Sequence, residues 1–183
     1  MVASPSGPPP TPWVEFSLAN ASFVTERLAV GGDLSPNFGL AKRQLDELVA
    51  AGITHIADLR EEWSDETLVK TWEPQLKYLH HRVADAGQEI GGAWFDALAD
   101  WVDAALAEPG SKVLVHCHMG VNRAPSAVLA LMLNRGIGLR PALDAETDIG
   151  RTSARLAPAA FISSQAWRMP SMLPLITSCP GQL

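Results

Sequence analysis

Apolar residues come in two rhythms along this chain, and their alternation is the first guide to its fold. Short runs of aliphatic and β-branched residues at 28–31, 53–59, 77–83 and 112–116 have the length and composition of strands. Segments of helical period lie between them. One covers 40–51 and ends at Gly52, where a left-handed cap favours glycine. Trp94, Leu98, Trp101, Val102 and Leu106 recur at helical spacing and predict a second, amphipathic helix. A third spans 126–134, rich in Ala and Leu, with Pro125 in its first turn and Gly136 at its close. Residues 139–148 and 158–167 are further helix candidates. Strands alternating with helices predict an α/β fold, a central, mostly parallel, twisted sheet flanked by helices.

The ends of the chain follow neither rhythm. Five prolines crowd the first 12 residues, and Pro170, Pro174 and Pro180 punctuate the last stretch. We therefore read 1–19 as a Pro-rich extension, 20–168 as the working domain and 169–183 as a tail. At 183 residues, with 47% hydrophobic and 19% charged residues, the chain suits one globular domain. A formal net charge of -6 offers no basic surface, so neither nucleic acid nor membrane is expected as a partner. No run within the domain is long and apolar enough for a membrane span, and no leader is visible, which predicts a cytoplasmic protein. Two cysteines, Cys117 and Cys179, do not make a disulfide framework, and a reducing compartment would keep Cys117 a thiol.

The run His116-Cys117-His118-Met119-Gly120-Val121-Asn122-Arg123 changes the picture most. It sets a nucleophile and a permanent positive charge at the two ends of a short loop, where the strand at 112–116 gives way to a helix. If the loop curls, the backbone N–H groups of His118, Met119, Gly120, Val121 and Asn122 face inward and form an anion site. Gly120 permits the tight bend. The N–H ring, the helix dipole and Arg123 all favour a thiolate at Cys117, and the planar Arg123 fork suits two phosphate oxygens at once. His116, at the strand end, reads as a buried residue that orients the loop. Adjacent His and Cys side chains diverge and no further ligand pair is present, so no metal is expected.

The segment Val113-Leu114-Val115-His116-Cys117-His118-Met119-Gly120-Val121-Asn122-Arg123 resembles the signature of the cysteine-dependent protein tyrosine phosphatases. Leu28-Ala29-Val30-Gly31-Gly32 and Gly52-Ile53-Thr54-His55-Ile56 resemble its dual-specificity branch, and the likeness extends over about 20–168. That resemblance implies a phosphomonoester hydrolase with a phosphocysteine intermediate, no metal or cofactor, a phosphorylated protein or peptide as partner, and an aspartic general acid on a separate loop. Asp85, in the turn Ala84-Asp85-Ala86-Gly87 after the strand at 77–83, holds the matching place, with Asp96 and Asp100 on the following helix as competitors. A leaving serine, threonine or tyrosine oxygen needs such a proton donor.

One departure stands out, because the family carries Ser or Thr after the arginine and this chain has Ala124. That leaves open a phosphate-binding pseudophosphatase, a recognition module without turnover, while Asn122-Arg123 resembles relatives acting on RNA 5′-triphosphate ends. Asp58-Leu59-Arg60 ends a strand near the expected site, and Arg60 reads as a structural ion pair ahead of a guide for an anionic substrate. Trp63, Trp72, Trp94 and Trp101 read as packing residues, and the polar stretch 61–71 that Trp63 and Trp72 flank could edge the pocket. His80 and His81 read as strand or surface residues, and Arg151 and Arg155 as rim or solvent-facing charges.

Overall fold

The strands are β1 (Ala21–Phe23), β2 (Leu28–Gly31), β3 (His55–Arg60), β4 (Lys77–Val83) and β5 (Val113–His116), interleaved with helices α1 (Phe38–Ala50), α2 (Glu66–Trp72), α3 (Gly92–Ala107) and α4 (Arg123–Asn134). They form one five-stranded sheet in the order β1-β2-β5-β3-β4. Among the described residues only β1 runs antiparallel to its neighbour; β2, β5, β3 and β4 pair in parallel. The mostly parallel, helix-flanked sheet is the expected architecture. These elements come from a computed structural model that describes residues 14–138. The helix candidates at 139–148 and 158–167, Arg151, Arg155, Cys179 and the outer parts of both ends lie outside the described residues.

Local chemistry moves several boundaries. Helix α1 starts earlier than periodicity predicts because Asn37 caps it, its side-chain oxygen accepting from Leu40 N–H at 3.0 Å. Gly52, Gly120 and Gly136 all take left-handed backbone angles. Strand β3 starts at His55, since Ile53 N–H still serves the end of α1 by donating to the Leu48 carbonyl. Two elements escaped the pattern altogether, β1 and α2. The seven residues of α2 mix Glu66, Thr67, Lys70 and Thr71 with Leu68, Val69 and Trp72, of which Val69 is buried in the core and Trp72 packs against it.

Alternating side chains of the sheet feed two cores. Val30, Ala57, Leu59, Val113 and Val115 face Leu98, Val102, Ala127 and Val128 of α3 and α4. Ala29, Ile56 and Leu114 face Leu45 and Leu48 of α1 and Val69 of α2. The central strands β2, β3 and β5 are buried throughout, which explains the near-continuous apolar sequence of β2 and β5, whereas β3 carries His55, Asp58 and Arg60 into the interior. Along the edge, Ser17, Leu18 and Ala19 donate backbone N–H groups to the Glu47 carboxylate. Burial opposes that charge, but these bonds hold the Glu47 carboxyl at about 2.

At the carboxyl end of the sheet the core turns polar. Arg60 is fully buried and pairs with Asp58 and Asp65, each at 2.8 Å, and with Asp33 at 3.1 Å. Tyr78 of β4 donates its hydroxyl to Asp58 at 2.7 Å, and His116 Nε2 lies 3.8 Å from the same carboxylate. Arg60 is thus the structural ion pair expected from the sequence. Burial would push the Asp58 carboxyl up, yet the Arg60 hydrogen bond, aided by His116 and Tyr78, holds it down at about 2. Burial and the Asp58 charge together push the Tyr78 phenol up.

The end of β2 also supports the loop after β5. At Gly120, φ is 72°, and an added Cβ would lie 2.8 Å from the Gly31 carbonyl carbon and from Gly32 N. Backbone meets backbone here, so nothing can move aside.

Three outcomes follow for stability. Arg60→Met strands Asp58 without its partner and should cost about 3–5 kcal/mol, read from the urea midpoint. In the native protein the depressed Asp58 carboxyl contributes stability that is present above its unfolded value of about 3.9 and is lost as pH falls towards 2, and a pH series should show that loss. Gly120→Ala combines a left-handed backbone with the contact against Gly31 and Gly32 and should cost about 2–4 kcal/mol by thermal unfolding.

Candidate active site

The loop from Cys117 to Arg123 is held from outside by its carbonyls. The His118 carbonyl accepts from Asp33 N–H at 3.0 Å, and the Met119 carbonyl accepts from Asn20 Nδ2 at 3.0 Å. In a trans peptide the N–H points opposite to the C=O, so Met119 N–H and Gly120 N–H turn away from this scaffold. The Asn122 carbonyl accepts from Ser126 N–H at 3.0 Å inside α4, which likewise turns Arg123 N–H out of the helix. Asn122 precedes α4 yet makes no side-chain cap, leaving the first-turn N–H groups open. Cys117 is buried at 2% exposure, is a free thiol, and is fixed by its own N–H to the Gly31 carbonyl at 3.2 Å.

Arg123 is buried at 6% exposure, and its five N–H groups can be followed individually. Glu62 takes the end of the fork, Oε2 from Nη1 at 2.8 Å and Oε1 from Nη2 at 2.9 Å. The other Nη1 proton goes to the Val83 carbonyl at 3.1 Å. What remains is the side of the fork, one Nη2–H and the parallel Nε–H. Nε is buried without a hydrogen-bond partner among the described residues. The nearest charge is Asp85 Oδ2, 3.5 Å from Nε. A parallel pair of donors is the geometry that suits two oxygens of one phosphate. Arg123 in turn holds the Glu62 carboxyl down at about 2.

Asp85 therefore lies at this fork, joined to the loop by Asn122 Nδ2, which donates to Oδ1 at 2.6 Å. Asp96 and Asp100 are exposed on α3. His118 donates through Nδ1 to Asp33 Oδ2 at 2.7 Å, and its ring meets Trp63 edge-on at 5.0 Å. Trp63 thus edges the loop, whereas Trp72, Trp94 and Trp101 pack against the two cores. Met119 is exposed, and Val121 and Gly120 are half-buried. His116 is buried with Nδ1 unpartnered among the described residues, and burial foremost pushes its pKa down, favouring the neutral ring. His80 and His81 bond backbone carbonyls of Arg60 and Trp94. Ala124 is wholly buried, while Ser126 shares a small crevice with Asp85 and Arg123.

Glu62 is the site residue that sequence reasoning missed. Its signals are its position directly beyond the strand end carrying Arg60 and its place in the polar stretch 61–71 read as able to edge the pocket, neither of which singles it out. Among the described residues no group of three or more His, Cys, Asp or Glu could hold a metal ion.

Comparison with known proteins shows the family. Residues 38–145 match the family model "Dual specificity phosphatase, catalytic domain". Dual specificity protein phosphatase 26 of Bos taurus is 33% identical over 87 residues, 48% of this chain and 41% of that protein. Serine/threonine/tyrosine-interacting protein B of Xenopus laevis is 28% identical over 110 residues, 60% of this chain and 49% of that protein. The chain thus spans less than half the length of these relatives. Among solved structures, Tk-PTP in its active form superposes with a TM-score of 0.56 at 25% identity, covering 83% of this chain and 92% of that one. With more than half of its length matched by that model, the chain belongs to the dual specificity phosphatase catalytic-domain family.

Proposed function

We propose that the protein hydrolyses phosphomonoesters on phosphorylated proteins or peptides through a phosphocysteine at Cys117. The observation that carries this reading is the division of Arg123. Glu62 and Val83 fix the guanidinium, and its side-on pair of donors is left for phosphate. The backbone N–H groups of residues 118–123 hold the remaining oxygens, at the open N-terminus of α4. Cys117 Sγ attacks phosphorus, the ester P–O bond breaks, and Asp85 gives its proton to the departing oxygen. Water then attacks the phosphocysteine, Asp85 takes its proton, and the P–S bond breaks to return the thiolate. No metal takes part, and a reducing compartment such as the cytoplasm keeps Cys117 available. Among the described residues no helix is long and apolar enough to cross a membrane.

A second reading rests on Ala124. Its side chain is wholly buried where a family hydroxyl would serve the leaving sulfur, and one relative is named as an interacting protein. In that reading the same pocket binds a phosphorylated partner without turning it over.

Hydrolysis of p-nitrophenyl phosphate that is blocked by vanadate, indifferent to EDTA and abolished in Cys117→Ser is the expected result. Turnover retained in Cys117→Ser would remove the mechanism, and phosphopeptide binding without any turnover would favour the second reading. Asp85→Ala should slow the first step by about 10² to 10⁴. Unchanged turnover in that variant reassigns the acid. Because Ala124 brings no hydroxyl to the sulfur, stopped-flow kinetics should show a burst of product followed by a slow steady state. A linear time course from the first turnover contradicts slow breakdown.

A further inference from the structure

Asn122 stands where an N-cap residue stands, and Asn in that place ordinarily turns its side chain onto the first N–H groups of the helix. Here it does not. The amide reaches across to the turn after β4 instead, donating to Asp85 Oδ1 at 2.6 Å. That turn has its own internal brace. Gln88 Oε1 accepts from Ala86 N–H at 3.1 Å while Gln88 Nε2 donates to the Ala84 carbonyl at 2.8 Å, so one amide grips the backbone on both sides of Asp85. The brace shapes the turn, but it does not touch the carboxyl group, whose side chain is 42% exposed. The hydrogen bond to the carboxyl group comes from Asn122.

We propose that Asn122 is a positioning residue for the general acid, holding Asp85 over the phosphate loop and selecting the oxygen that carries the transferred proton. This rests on the reading of Asp85 as that acid. A protonated carboxyl has one O–H. On Oδ1 it would confront the N–H of Asn122 at 2.6 Å, donor against donor, whereas Oδ2 receives no hydrogen bond from Arg123 Nε, whose N–H is left for phosphate, so the proton resides on Oδ2. Oδ2 is the oxygen 3.5 Å from Arg123 Nε, beside the free side of the guanidinium. A phosphate gripped there presents its ester oxygen to the oxygen that bears the proton. Without the amide the carboxyl can rotate, exchange its two oxygens and turn to solvent. The same contact leaves the α4 N–H groups uncapped for the anion, so one side chain serves both halves of the site.

A positioning role of this kind shows in leaving-group dependence, because a good leaving group needs little help from an acid. Phenyl phosphate, whose phenol ionises near the tyrosine value of about 10, is compared with p-nitrophenyl phosphate, whose phenol is far more acidic. Asn122→Ala should lose about tenfold more kcat/KM on phenyl phosphate than on p-nitrophenyl phosphate, a misplacement-sized effect. In the Asp85→Ala background, adding Asn122→Ala should leave the ratio between the two substrates unchanged. Asn122→Asp, which keeps the size and replaces the donor with a like charge, should shift the ratio at least as far and serves where the alanine variant folds poorly. Equal losses on both substrates would overturn the proposal, as would a ratio shift that persists without Asp85. Should Asp85→Ala itself show no leaving-group dependence, the acid assignment falls and takes this proposal with it. If Asp85→Ala shows it and neither Asn122 variant does, this proposal alone is lost.

Discussion

A guanidinium with no exposure to water is tolerable only when matched partners surround it, and Arg60 imposes that requirement on half of the fold. Its carboxylates come from β3 itself, from the turn after β2 and from the residue preceding α2. Satisfying one buried charge therefore fixes three segments of chain relative to one another. The constraint spreads through the partners. Asp33 holds both the backbone and the ring of His118, and Asp58 meets Tyr78 of β4 and lies beside His116 of β5. Apolar packing alone would allow the loop after β5 to tilt; this network gives it an orientation.

Above that base, the candidate site separates groups that hold from groups that work. Loop carbonyls are spent on Asp33 and Asn20, which frees N–H groups on the other side. Gly32 and Gly120 let the loop sit directly on the sheet end with no side chain between, while Gly31 leaves room for Asn20 and Ala21 at the edge of the sheet. Val83, the last residue of β4, binds Arg123 through its carbonyl and is followed closely by Asp85. Guanidinium and carboxylate thus share one short stretch of chain as their common support.

Much of this was legible in residue order. The strands at 28–31 and 77–83 coincide with β2 and β4 because each is bounded by turn residues, and the Cys117 to Arg123 spacing encloses a loop that needs no distant partner to be recognised. Contacts remote in sequence were hidden. Strand β1 has three residues, too few to show alternation, and exists because β2 offers it an edge. Helix α2 looks like a polar loop, and its place depends on Val69 in the core and on Asp65 meeting Arg60. Glu62 is one exposed acid among many until folding brings Arg123 to it. Charge partners chosen by tertiary structure leave no periodic trace.

That Glu62 partnership sets how the site meets an anion. With a carboxylate already bound end-on, the Arg123 charge is largely compensated before any ligand arrives. The pocket therefore projects little attraction beyond the first contact distance, and the net charge of -6 adds none. Ionic strength has correspondingly little long-range field to screen. For the phosphate proposed to bind there, capture would depend on oxygens arriving in a shape that fits the remaining donors, so selection would follow the geometry of a phosphoryl group and not the amount of negative charge a molecule carries.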